Sequence, residues 1–492
     1  MILAIVSRVV TIITGVIVQR YILIAYGSAL NGLTSSITQV MSYLVLLEAG
    51  LGSASIQALY YPLAHHDWKS ISSIITATDR EYKKISAAFT ACLIVVSVIL
   101  PLATISEVEY SVAALLTLIT GGSSVASYIL GGKYKALLNA DQKVYILYYL
   151  DIATISLSCI LRVVALQNGK GIIFVQFLNL LSVGIKNAGY FLYVRMKYKS
   201  INYTAIPDRK AINKRWNVFV HNIAGIVVNH TDIIILTLFS SLKIVSVYSV
   251  YNMIFGQMSN MIQMAFTQAP QASFGILYNK NHEKFKRVYF VYENVFSLLL
   301  FILTTISLVM ILPFVQLYTA GVKDITYVDV RLQFLFALIL LMNQLRAPSI
   351  IIINVIGAFK ETQVGAIIEA VLNISVSLFL FLIAGWGIYG LLFGTVISYI
   401  YRTTDVILFV YKNVLKVSII KYVKLLLINF FCAAVIVFIF CVVFPITAEN
   451  FIVWIGKACF VGVITCMVFI IVNFCGNNEL RYIFKYIKRK EK

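Results

Sequence analysis

Apolar stretches of roughly the 20 residues needed to cross a bilayer as a helix recur along the whole chain, separated by short polar breaks. They lie near 1–25, 35–61, 85–106, 110–131, 144–166, 172–195, 217–239, 244–277, 290–316, 329–356, 363–385, 388–411, 424–446 and 452–474, which predicts about fourteen spans, and none resembles a cleavable leader. The segments are continuously apolar and do not alternate, so the expected fold class is an all-α integral membrane protein rather than a strand barrel. Composition agrees: 60% of residues are hydrophobic, 12% are charged, and the mean hydropathy is +0.90.

The formal net charge of +20 invites a nucleic-acid reading, which the positions of the charges weaken. Basic residues gather in alternate loops, 63–84, 132–143, 195–215, 279–287 and 411–424, and in the tail 480–492. The opposite loops, around 26–34, 104–110, 167–171, 240–243, 317–328 and 446–451, are short and poor in Lys and Arg. By the positive-inside rule the basic loops and both termini are expected in the cytoplasm, with attraction to anionic membrane lipids as a secondary effect. The seven cysteines form no CxxC pair or secreted framework and read as small core residues.

The longest basic loop, RMKYKSINYTAIPDRKAINKR (195–215), follows six spans and reads as a linker. GIVVNHTDIII (225–235) echoes GVIVQRYILI (15–24), which suggests two related halves; chance similarity between Ile/Val-rich helices would give the same match. The expected organisation is an N-terminal six-helix lobe at 1–195, a linker at 196–216, a second six-helix lobe at 217–411, and an extra helix pair with a basic tail at 412–492. Repeated bundles commonly enclose a substrate site and work by rocking.

Intramembrane charges are expensive unless they are paired or hydrated. In LVLLEAGLGSAS (44–55), Glu48 needs a partner, and counting back along two helices joined by a short turn places Arg8 at a similar depth. The same reasoning pairs Asp151 with Lys186 and Arg346 with Glu369, each of which has a purely structural reading as a neutralising bridge. Arg20, Arg162 and His230 are left without an obvious acidic neighbour, although Arg20 and Arg162 lie where snorkelling to the interface would also serve. The expected site is a hydrated cationic cavity formed by Arg8, Arg20, Arg162, Lys186 and Arg346, and a diphosphate suits it because the guanidinium fork matches phosphate oxygens. Glu48, Asp151, His221, His230, Asp232 and Glu369 are the charge partners or coupling candidates, with hydrogen bonding inside the bundle as the alternative for the histidines and Asp232. No metal or cofactor is expected; coupling to protons, to sodium or to the membrane potential stays open.

LLEAGLGSASIQALYYPLA (46–64), ALLNADQKVYI (136–146), HNIAGIVVNHTDIIILTLF (221–239) and VSVYSVYNMI (245–254) together resemble the polysaccharide-export flippases, the Wzx-like branch of the multidrug/oligosaccharidyl-lipid/polysaccharide (MOP) exporter superfamily, over most of the chain up to about residue 420. The resemblance implies a bacterial inner-membrane transporter that moves an undecaprenyl-diphosphate-linked oligosaccharide to the outer leaflet by alternating access, with polysaccharide polymerase machinery as a further partner. One departure is that the chain starts directly in its first span, without a polar basic leader. Enzyme readings fare worse: there is no HExxH, ILGGKY (129–134) lacks the P-loop spacing, and every outer loop is short for a catalytic site. A cation-coupled multidrug exporter of the same superfamily is the alternative, for which an acidic cavity would be expected.

Overall fold

The computed structural model describes residues 2–48, 50–208 and 230–476. The molecule is helical, at 87% helix, and the described residues contain no strand. Eleven helices among them are long and apolar enough to cross a membrane. Their outer faces carry exposed side chains such as Ile99, Ile160, Ile383, Phe431 and Ile452, an apolar surface suited to lipid and not to water. This is a multi-pass membrane protein.

Three of the fourteen expected spans account for the difference from eleven. The first two run together as one helix, α1 (Ile2–Leu44), with Gly27 inside it at φ 80°, ψ −178°. That conformation redirects the chain without a loop and is open mainly to glycine. Ser28 then starts the second arm, its backbone N–H and its hydroxyl both donating to Asp324, at 2.9 and 2.6 Å. Burial pushes the Asp324 carboxyl up, but the Ser28 hydrogen bonds, together with its own backbone N–H and the charge of Lys243, hold the group below the usual carboxylate range. A Cβ at Gly27 would sit 3.3 Å from Asp324 Oδ2, so Gly27→Val is expected to lower thermal stability by about 1–3 kcal/mol, measurable as a reduced melting temperature in detergent. The seventh span lies partly in 209–229, outside the described residues, and only α8 (His230–Phe239) is seen. The eighth begins as α9 (Leu242–Ile262), whose Lys243, Asn252, Gln257 and Asn260 lower its hydropathy.

The remaining helices follow the expected spans, with extensions. They are α2 (Leu51–Ala64), α3 (Trp68–Thr104), α4 (Tyr110–Ala126), α5 (Gly132–Ala140), α6 (Val144–Gln167) and α7 (Ile172–Lys197). After α9 come α10 (Ala269–Lys280), α11 (His282–Tyr318), α12 (Val330–Leu345), α13 (Ala347–Ile356), α14 (Phe359–Leu378), α15 (Gly387–Phe409), α16 (Ile420–Phe438) and α17 (Phe451–Gly476). Asp67 starts α3 by accepting from the backbone N–H groups of Lys69 and Ser70. A π-helical turn, Ser127–Gly131, joins α4 to α5, so part of the expected basic loop 132–143 is helix.

The chain divides into two compact units, 1–249 with 321–325, and 250–320 with 326–492; the boundary falls inside α9. In the first, α1 packs on α6, α3 on α4, and α7 on α4 and α6, around Leu33, Ile37, Phe89, Leu116 and Val175. The start of the expected linker lies along α3: Asn202 N–H donates to Ser72 Oγ (2.9 Å), and Ser73 Oγ donates to the Ile206 carbonyl (2.6 Å). In the second unit α14 packs on α15, α12 on α15, and α11 on α12, α16 and α17, so the C-terminal helix pair is built onto α11 through Val309, Met310, Val437 and Val461.

Candidate functional site

Glu48 ends a 3₁₀ turn, Val45–Glu48, and the chain turns into α2 through Gly50 at φ 86°, a left-handed conformation that explains the first glycine of the segment. The carboxylate accepts a hydrogen bond from Tyr82 Oη on α3 at 2.9 Å, and Tyr128 at the π turn is a second hydrogen-bonding neighbour. Arg8, the partner expected for Glu48, stands half-buried on α1. The 3₁₀ winding at Val45–Glu48 carries Glu48 to the Tyr82 hydroxyl on α3.

The other two expected pairs form. Lys186 on α7 lies 3.1 Å from Asp151 on α6, which also accepts from Tyr190 Oη at 3.4 Å. Lys135 on α5 lies in the field of Lys186, Asp151 and Glu48, so the first unit holds two lysines and two carboxylates in one region between α2, α5, α6 and α7. In the second unit Arg346, between α12 and α13, contacts Glu369 at 2.5 Å, donates to Asn343 Oδ1 at 2.8 Å, and lies over the Tyr399 ring at 5.0 Å. Arg402 on α15 stands 3.6 Å from the other Glu369 oxygen and 2.6 Å from Asp405. Glu369 is thus clasped by two guanidiniums, at 9% side-chain exposure.

Arg162 has a neutral partner: its Nη2 donates to Gln176 Oε1 at 3.3 Å, while its buried Nε lacks a hydrogen-bond partner. Arg20 is half-buried on α1. His230 Nδ1 is in hydrogen-bond contact with Gln39 Nε2, and its ring meets Tyr43 edge-on. Asp232, 5% exposed, accepts from Tyr248 Oη at 2.9 Å. His221 lies outside the described residues.

Sequence reasoning missed several charged or polar members. Arg402 and Asp405, at i and i+3 in an expected span, carried the signal of an intramembrane ion pair; Lys135 was assigned to a loop because the helix was expected to end at 131. Glu293 on α11, 2% exposed, accepts from Tyr289 Oη (2.8 Å) and Tyr411 Oη (2.5 Å), and its near-interface position in the sequence hid its burial. Among the described residues no group of three or more His, Cys, Asp or Glu side chains is arranged to hold a metal ion.

No protein-family model and no curated protein matches the sequence. Solved structures do. The structure of "Lipid II flippase MurJ, inward closed conformation" aligns with a TM-score of 0.62 at 16% identity, covering 96% of this chain and 98% of that one. An inward-facing multidrug resistance MATE family transporter of the MOP superfamily aligns with a TM-score of 0.62 at 14% identity, over 81% of this chain and 93% of that one. An outward-facing transporter of the same description gives 0.52 at 15% identity, over 82% and 94%. At these identities the likeness is one of fold, and it agrees at that level with the resemblance read from the sequence: this chain has the fold of the MOP superfamily, shared by MurJ and the MATE transporters.

Proposed function

We propose that the protein is a flippase that carries an undecaprenyl-diphosphate-linked oligosaccharide from the inner to the outer leaflet of the bacterial cytoplasmic membrane, by alternating access, for surface polysaccharide assembly. The observation that carries this reading is coverage. The alignment with the lipid II flippase spans 96% of the chain, against 81% and 82% for the two multidrug transporters compared. Cations in both units support it: Lys135, Lys186 and Arg162 in the first, Arg346 and Arg402 in the second. A drug cation would meet guanidinium and ammonium groups there. Fourteen crossings, lobes at 1–195 and 217–411, a linker at 196–216 and an extra pair within 412–492 complete the proposal, with no catalytic group required.

Deleting the gene is expected to make lipid-linked oligosaccharide accumulate on the inner leaflet and to remove the surface glycan. Unchanged glycan together with increased sensitivity to cationic drugs would replace this reading by the multidrug exporter. The proposed orientation puts 195–215 and the C-terminal tail in the cytoplasm. Fusions after Arg215 and Lys492 should then be active with a cytoplasmic reporter and silent with a reporter that works only in the periplasm; the reverse pattern would invert the direction of transport.

A further inference from the structure

Glu293, in the second unit, is a carboxyl group to which the transport reading gives no task. It is 2% exposed, and its partners are two hydroxyls: Tyr289 Oη on the same helix, 2.8 Å from Oε1, and Tyr411 Oη in the π-helical turn Val410–Leu415 after α15, 2.5 Å from Oε2. It forms no ion pair among the described residues, and Lys286, about two turns earlier on α11, is held by Glu283 at 3.3 Å. The titratable groups that face it are those two tyrosines and Tyr422 at the start of α16, whose ring stacks on Tyr411 at 5.9 Å. α13 adds the Ser349 hydroxyl, 3.1 Å from Tyr289 Oη, and α10 adds only the Phe274 ring against Tyr289. Apolar side chains, among them Phe285, Ile351, Val406 and Leu425, surround the cluster.

The hydroxyls fit the carboxyl group in either charge state. As a carboxylate it accepts from Tyr289 and Tyr411, while Ser349 donates to Tyr289. As a neutral acid it donates from Oε1 to Tyr289 Oη, which turns its own O–H to Ser349 Oγ, and Tyr411 still donates to Oε2. Only the charge differs. A carboxylate sealed among apolar side chains without a cation is costly; two hydroxyl donors offset part of that cost, and one proton removes it.

We infer that Glu293 is a proton-binding site, occluded in this conformation, whose proton holds α11, α13, the turn after α15 and α16 together. The inference rests on the alternating-access part of the flippase reading and deepens it by naming a coupling ion. Tyr289 and Ser349 are 0% exposed and Tyr411 4%, so the proton is taken from water and returned to it only when these elements part. The parted, hydrated cluster favours the carboxylate and the closed one the neutral acid. The closed cluster therefore binds one proton more; acid stabilises it, and raising the pH favours its opening.

The test uses the purified full-length chain in nanodiscs and reads the proton and the clasp separately. At mildly acidic pH the carboxylic acid C=O stretch in the infrared spectrum should lose intensity in Glu293→Gln, whose neutral amide replaces the protonated acid. Identical spectra would mean that Glu293 is ionised, and the inference would fall. Opening is read by thiol labelling at Val414→Cys, a buried apolar position on the same turn, above the background of the chain's own cysteines. Dividing the rate by that of the same cysteine in Glu293→Gln removes the thiol's own titration. The ratio should rise at least about threefold from mildly acidic to mildly alkaline pH, within the limit of about tenfold per pH unit that one proton sets. A constant ratio would overturn the inference. Tyr411→Phe removes a donor that favours the carboxylate, so the rise should move to higher pH. Faster labelling at every pH without that displacement would make the cluster a structural clasp and overturn the proton site. All of these measurements are made without substrate, so their failure leaves the flippase reading standing. That reading fails instead if the wild type binds cationic drugs and no undecaprenyl diphosphate, whatever the outcome at Glu293.

Discussion

Replacing Arg346 with Ala is expected to abolish glycan export while leaving the protein inserted and abundant. The argument turns on the third member of the cluster. Glu369 touches Arg346 at 2.5 Å and Arg402 at 3.6 Å, so removing Arg346 leaves the carboxylate with a guanidinium still beside it. Breaking a simple buried pair costs about 3–5 kcal/mol because one charge is stranded; here none is. Glu369→Ala should behave differently, since it strands Arg346 and leaves Arg402 to Asp405 alone, and loss of abundance is expected before any loss specific to transport. Measuring surface glycan against membrane-inserted protein for both variants separates a substrate contact from a structural clasp. If Arg346→Ala exported normally at normal abundance, Arg346 would be a bridge and nothing more. A Glu substitution should be worse than Ala, because it sets a third carboxylate beside Glu369 and would repel the phosphates.

The all-helical class and most span positions were legible because one-dimensional hydropathy reports membrane crossing directly: each apolar run must satisfy its backbone internally, and only a helix does so over 20 residues. Pairings within adjacent spans were legible for a related reason. Asp151 with Lys186 and Arg346 with Glu369 each sit on consecutive segments joined by short connections, so depth nearly determines contact. Local backbone events escaped the reading. Gly27 continues α1 through a turn that reads in sequence as a loop, the π turn at 127–131 carries the chain on into α5, and Lys135 moves with it from a supposed loop to a helix face. The tyrosine partners of carboxylates escaped too. Tyr82 for Glu48, Tyr248 for Asp232, and Tyr289 with Tyr411 for Glu293 all donate a neutral O–H to an acid, and a search for opposite charges passes over them. The pattern has a physical basis: a tyrosine brings its own apolar body, so it satisfies a carboxylate in a helix bundle without importing a second charge that must be desolvated.

The tyrosine partner of Glu48 sets the second large effect. Glu48 is expected to couple energetically to Tyr82. A hydrogen bond from a hydroxyl to a carboxylate is worth about 1.5–3 kcal/mol in proteins at large, and pairs measured within membrane bundles average nearer 0.6 kcal/mol. A coupling of about 1–2 kcal/mol is therefore expected from a double-mutant cycle of Glu48→Gln with Tyr82→Phe, read as thermal stability of the purified protein, because the cycle isolates the 2.9 Å contact from the Tyr128 hydrogen bond that Glu48→Gln also alters. The single substitutions should also rank. Glu48→Ala should cost more than Tyr82→Phe, since it removes the acceptor facing both Tyr82 and Tyr128, whereas Tyr82→Phe leaves Tyr128 beside the carboxylate. Gly52 offers an independent check on the same geometry. A methyl group there would meet Glu48 Oε1 and Tyr82 Oη at 3.4 Å each, ordinary contact distance, so Gly52→Ala should be tolerated while bulkier Gly52→Leu should disrupt the hydrogen bond and reproduce the Tyr82→Phe loss. No coupling at Tyr82 would mean that Glu48 faces elsewhere, and the arrangement of α2, α3 and the π turn around it would have to be redrawn.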